Sequence, residues 1–155
     1  MFNDRFLDEL TERAKWDPRL WKHFNLHESY SAPSQQFLNA IEPGSYIRPH
    51  RHFTAVKHET LVLIRGHFAI VIFQEEGKVE EIVRLSCETN KDCRVYQLKH
   101  TTWHSVLSLE TGSILLDVKD GPYDPLIAKD FPSWAPAEED PDQHKYLDNL
   151  RSIIK

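Results

Sequence analysis

Cysteine is scarce in this sequence of 155 residues, where only Cys87 and Cys93 occur. A disulfide-stapled scaffold is thereby excluded, and the pair reads as two free thiols in a reducing compartment. Long apolar runs are missing as well. The longest mostly apolar stretch, Leu61 to Phe73, is broken by Arg65, Gly66 and His67, too soon for the roughly 18 apolar residues of a membrane span. The opening residues, MFNDRFLDEL, contain no charged-then-apolar leader, so the expectation is a soluble, cytoplasmic protein without membrane contact. Basic charge is also short: 19 Lys and Arg stand against 24 Asp and Glu, for a net charge of -5. No basic block can neutralise a run of phosphates, which argues against nucleic acid as a partner. Glycine is sparse at 5 residues, yet 40% of the chain is hydrophobic, so neither a collagen-like nor a disordered chain fits and one domain is expected.

The apolar residues that are present change period along the chain. Phe2, Phe6, Leu10 and Ala14 recur every four residues, which predicts a short amphipathic helix. Asp17-Pro18 followed by Leu20, Trp21 and Phe24 predicts a second one. Phe37 to Ile41 suits a strand or short helix, ending at Glu42-Pro43-Gly44. Beyond Gly44 the pattern turns to short extended segments with turn signals between them, as in an all-β sandwich or barrel. The expected strands are Ser45 to His52, Thr60 to Ile64, His67 to Phe73, Lys78 to Leu85, Arg94 to Leu98, Trp103 to Leu109 and Ser113 to Val118, with adjacent segments antiparallel. Pro122, Pro125, Pro132, Pro136 and Pro141 then exclude a central strand, while Tyr123, Phe131 and Trp134 favour an extended cover over a disordered tail. Tyr146, Leu147, Leu150, Ile153 and Ile154 have helical spacing. The expected division is an N-terminal helical extension (1–36), a β region (37–119) and a C-terminal cover and helix (120–155), all parts of a single domain.

The chemistry-bearing residues gather in the β region. If Ser45 to His52 is a strand, its period of two puts His50 and His52 on one face, able to converge on one ion. Glu59 follows at the start of the next strand with a hard anionic oxygen, and His104 adds an imidazole from a different strand. With nine histidines in the chain, close pairs also arise by chance, and composition and periodicity leave both readings open. Tyr46 and Arg48 share strand parity with His50 and His52, so Tyr46 is a candidate acid-base group and Arg48 a candidate ligand-binding one, with barrel packing and a rim salt bridge as the alternatives. Tyr123 is a further ligand-binding candidate, and His58 and His100 are polar groups near the expected site. Trp103 opposes His104 in parity and should pack in the core.

The run from Gly44 to His52, followed by Glu59 and then Gly66, resembles the first motif of the cupins, and Thr102-Trp103-His104 resembles the core of the second. A narrower resemblance is to the small bacterial cupin-fold metalloproteins of the WbuC type, associated with surface-polysaccharide gene clusters. It extends through Asn25-Leu26-His27, Gly121-Pro122-Tyr123-Asp124-Pro125 and the run Lys129 to Pro136. This resemblance implies a double-stranded β-helix, a jelly-roll barrel, with short N-terminal helices and a C-terminal segment ending in a helix. It also implies His50, His52, Glu59 and His104 as ligands of one divalent metal ion. The sequence departs from the cupin pattern in the six residues between His52 and Glu59, where three or four are usual, which makes His58 a rival ligand. Lys99 and Thr101 replace the usual proline and glycine before His104, so a different turn geometry is expected there.

Three neutral imidazoles and one carboxylate leave a divalent ion with net positive charge, able to polarise a bound oxygen. The mixed donors suit zinc, iron, manganese, nickel or cobalt. Three functions follow as alternatives: an enzyme acting on a sugar or nucleotide-sugar, a non-catalytic carbohydrate-binding accessory protein, and an iron-dependent dioxygenase. A homodimer is expected, with the apolar faces of the terminal helices available for sharing.

Overall fold

The computed structural model describes residues 1–52, 58–88 and 92–154. Helix α1 (Asp4–Lys15) begins where the Asn3 side chain accepts from the Phe6 backbone N–H, and Arg13 and Lys15 lie in its last turn, opposite the partial negative charge of the C-terminus. The second expected helix is instead a strand, β1 (Trp21–Asn25), and the Phe37 to Ile41 segment belongs to β2 (Ser34–Ile41). Their antiparallel register, from Trp21 opposite Ile41 to Asn25 opposite Phe37, satisfies backbone groups that a one-turn helix would leave open. The later strands fall close to their expected places: β3 (Glu59–Arg65), β4 (Phe68–Phe73), β5 (Val79–Leu85), β6 (Val95–Leu98), β7 (Trp103–Ser108) and β8 (Ser113–Asp120). Helix α2 (Gln143–Ile153) closes the chain. None of the described helices is long and apolar enough to cross a membrane, and both cysteines are free.

The strands form two antiparallel sheets, one in the order β1-β2-β8-β3-β6 and one in the order β5-β4-β7. This corrects the all-β closed barrel expected above. The fold is mixed α/β, and its two sheets face each other in a cupin-like jelly-roll arrangement without closing into a barrel. The expected strand from Ser45 to His52 is where closure would have come. Only His50, bridged to His104, and Arg51, bridged to Asp130, make ladder contacts there, and the intervening Pro49 has no N–H to give one. The longer loop expected between His52 and Glu59 lies outside the described residues, apart from His58. At Thr101 the turn has a left-handed backbone (φ 66), the conformation glycine adopts most easily.

Packing explains the layering. Phe68, Ile70 and Ile72 point from β4 into the space between the sheets, where they meet Ile41, Leu61, Leu98, Val106 and Leu115. The alternate residues Val71 and Phe73 point outward and are covered by Leu147 and Leu150 of α2. A central strand buried on both faces reads as a continuous apolar run, as the sequence from Phe68 to Phe73 does. On the far side, Leu7, Leu10 and Ala14 of α1 cover Leu38, Ala40 and Ile114 of the larger sheet. The apolar faces of both terminal helices thus pack largely on the chain itself, with Ile153 of α2 left exposed. In the proline-rich segment, Trp134 donates its indole N–H to the Glu75 carbonyl and packs at a tilt on Phe73, ring centroids 5.1 Å apart.

Candidate metal centre

His50 and His104 are held opposite each other by a reciprocal pair of backbone hydrogen bonds, 3.0 and 2.9 Å long. Their ring centroids lie 4.4 Å apart, and His52 sits 5.3 Å from His50 and 5.8 Å from His104. Each imidazole has its Nδ1 against a backbone carbonyl: Arg48 at 2.9 Å for His50, Ala128 at 2.6 Å for His52 and Thr102 at 2.9 Å for His104. A carbonyl only accepts, so each Nδ1 carries the proton and each Nε2 is left with its lone pair in the neutral ring. One nitrogen from each of the three rings lies within 4.8 Å of the others. This is how metal-binding histidines are oriented, by a fixed partner on the ring nitrogen away from the ion.

Glu59 reaches two of these rings from β3. Its Oε2 lies 2.8 Å from His52 Nε2 and 3.4 Å from His104 Nε2, and its Oε1 accepts from Lys119 Nζ at 2.9 Å. Lys119 also reaches Asp117 Oδ2 at 3.2 Å. The sheet register makes these contacts, since Glu59 pairs with Lys119 and Leu61 with Asp117 across β3 and β8. Burial opposes ionisation of Glu59, but the Lys119 cation beside it holds its carboxyl well below the usual range. Asp117 moves the other way: burial, then the Glu59 charge, push it well above. Burial, reinforced by the Lys129 charge, keeps His50 far below the ordinary histidine range, hence neutral.

These residues fit a divalent cation. His104 is 2% exposed, and its Nε2 is a buried polar atom without a hydrogen-bond partner. Such an orphan costs free energy unless a ligand takes it up. The three imidazole nitrogens are borderline donors that could coordinate a divalent metal ion. They line a cavity of about 270 Å³ that also borders Asp117, Lys119, Phe37, Asn39 and Tyr123. Trp21 donates to Asn39 Oδ1 at 3.1 Å, which orients that amide on the inner face of the larger sheet.

The other expected site residues are placed differently. Tyr46 does not share the cavity. It is packed with Val71, Trp103 and Leu147, its hydroxyl donating to the Pro136 carbonyl at 2.9 Å. The parity argument fails because residues 45–49 are not a strand. Arg48 likewise turns to the C-terminal cover, where Nη2 donates to the carbonyls of Pro132 and Ala135 and the guanidinium lies 4.8 Å over Phe131. Tyr123 does line the cavity, half-exposed and edge-on to Tyr30 at 5.0 Å. His58 borders the cavity but is exposed, and His100 is exposed outside it. Trp103 is buried on the face opposite His104, as its parity requires. Asp117 and Lys119 were missed. The signal was present in Leu115, Asp117 and Lys119, two charged residues at alternate positions on a strand face that otherwise points into the core.

Residues 2–85 match a family profile described as a domain of unknown function, DUF6016. The chain belongs to that family. The matched part of this DUF6016 protein spans α1 to β5 and carries His50, His52 and Glu59, while His104 lies beyond it. No curated protein matches the chain. Among solved structures, it is similar to the capsular polysaccharide assembling protein CapF from Staphylococcus aureus, with a TM-score of 0.57 and 18% identity over 75% of this chain and 30% of that one. KdgF from Halomonas sp. has a TM-score of 0.51 and 19% identity over 71% of this chain and 84% of that one. A cupin 2 domain-containing protein from Halorhodospira halophila has a TM-score of 0.52 and 16% identity over 87% and 83%. At such identities the likeness is one of fold. This DUF6016 chain therefore has the cupin-like arrangement, and it corresponds to less than a third of CapF.

Proposed function

We propose that the protein binds one divalent metal ion through Nε2 of His50, His52 and His104 with Glu59 Oε2 as a fourth donor, and uses it to hold and polarise an oxygen of a small molecule in the adjoining cavity. The observation that carries this reading is the set of three Nδ1–H groups tied to carbonyls, which leaves one nitrogen of each ring for an ion, within 4.8 Å of the other two. A bound ion supplies Lewis-acid character to whatever oxygen it meets. The chain's own residues do the rest: the backbone carbonyls of Arg48, Ala128 and Thr102 fix the tautomers, and the apolar wall of Leu61, Val106 and Leu115 limits water.

We read the small molecule as a sugar or nucleotide-sugar. The WbuC-type resemblance supports that substrate class, and so do the cleft's neutral amides and aromatic rings, Asn25, Asn39, Phe37 and Tyr123. Such groups suit hydroxyl-rich ligands with apolar ring faces. The carbohydrate-binding accessory role remains the second reading, favoured by the withdrawal of Tyr46, the expected acid-base group, to a structural hydrogen bond. Metal analysis of protein purified without added metal tests the first step. About one equivalent in the wild type, lost in His50→Ala and His104→Ala, is expected; both variants keeping a full equivalent would refute the ligand set. Incubation of the loaded protein with nucleotide-sugars then separates turnover, which gives product, from binding, which gives only a thermal shift.

A further inference from the structure

Glu59 has two oxygens, and only one is free to face the histidines. Its Oε1 is held at 2.9 Å by the Lys119 ammonium, which is itself anchored at 3.2 Å on Asp117 Oδ2. Glu59 and Asp117 are each 4% exposed, so these charge-assisted bonds form away from competing water and are costly to break. The Phe37 ring stands 5.3 Å from Lys119 Nζ, limiting where the ammonium can go. Paired backbones on β3 and β8 fix Glu59 directly opposite Lys119. Asp117 Oδ1 is buried without a partner, as is His104 Nε2, and both residues border the same cavity.

Resting on the metal reading above, we propose that Lys119 and Asp117 are positioning residues: together they clamp Glu59 so that it gives the ion one oxygen rather than two, and a coordination position toward the cavity stays open to an incoming small molecule. A carboxylate freed from the clamp can turn both oxygens to the metal and close that position. Asp117 is the counter-charge that keeps Lys119 in place when Glu59 is drawn toward the ion. Partners of this outer kind commonly change metal-site behaviour by roughly 10–100-fold when removed.

The test uses cobalt(II)-loaded full-length protein titrated with sodium azide, a small anion that coordinates only where a position is open, and follows the visible bands of cobalt. Wild type should bind one cobalt and show a saturable azide response. The double variant Lys119→Met with Asp117→Asn removes both partners of the clamp while leaving Glu59 in place. It should retain cobalt, show altered bands before azide is added, and bind azide at least about tenfold more weakly. Asp117→Asn alone loosens the anchor of Lys119 and should shift the bands and weaken azide in the same direction as the double variant but by less; wild-type behaviour there would overturn the part given to Asp117. Should the double variant fail to fold, Lys119→Met is read by the same titration. Wild-type bands and azide affinity in a variant lacking Lys119 would overturn the clamp while leaving the metal site standing. Failure of wild type to take up cobalt would overturn the metal reading, and the clamp with it.

Discussion

Substitution of His104 by alanine should cut the protein's stabilisation by metal, and the size of the effect can be worked through. An ion held by four donors binds a structural site with about 10–16 kcal/mol, so one donor accounts for about 3 kcal/mol, or roughly a hundredfold in Kd. With free zinc buffered at about 1,000 times the wild-type Kd, binding stabilises the folded state by about 4.1 kcal/mol. The same zinc is only about tenfold above the variant's Kd, which leaves about 1.4 kcal/mol. For a chain of this size each kcal/mol moves Tm by about 2–4 °C, so zinc should raise Tm by about 8–16 °C in the wild type and by about 3–6 °C in His104→Ala. Only the increment is compared, because the variant also loses the Nδ1–H bond to Thr102 at 2.9 Å and starts from a lower metal-free Tm. Scanning calorimetry with and without buffered zinc reads both values. Equal increments in the two proteins, or none in the wild type, would refute the reasoning.

The remaining predictions concern the frame around the site. Burial raises the Tyr46 hydroxyl above its ordinary range, so its share of stability is complete below about pH 10 and is lost as pH rises beyond that. Tyr46→Phe should therefore flatten the alkaline limb of a stability-against-pH curve, cost about 1 kcal/mol at neutral pH, and leave the zinc increment untouched; a reduced increment would place Tyr46 back in the site. Phe68 is fully buried between the sheets, and Phe68→Ala should lower the urea-unfolding free energy by about 3–5 kcal/mol. Gly66 turns with φ +79 and a side chain there would run into Ser113, so Gly66→Ala should cost about 1–3 kcal/mol in the same assay.

Much of this was readable because local pattern and final environment agreed. Leu10 and Ala14 of the four-residue recurrence lie on the face that α1 buries, while Phe2 stays exposed ahead of the helix, and the unbroken apolar run from Phe68 to Phe73 is a strand covered on both sides. Where long-range pairing decides, the local pattern misled. Leu20, Trp21 and Phe24 have helical spacing, but β2 offers Trp21 to Asn25 a full antiparallel ladder. Residues 45–49 do not form a strand, and the parity that put Tyr46 and Arg48 beside the histidines is lost with it. His50 and His52 meet His104 nonetheless, because the single bridge at His50 and the Nδ1 contacts orient them without a continuous strand. The Lys119 and Asp117 contacts depend on which strand lies beside β3, a fact of topology that no window of sequence around either residue contains.

The central claim is that three imidazoles from two stretches of chain meet on one ion. Crystals grown with zinc and measured on both sides of the zinc absorption edge test it directly. The account predicts a single anomalous peak about 2.0–2.1 Å from Nε2 of His50, His52 and His104, with Glu59 Oε2 at a similar distance. An empty site at full zinc saturation, or a peak bound by other residues with these rings turned away, would contradict it.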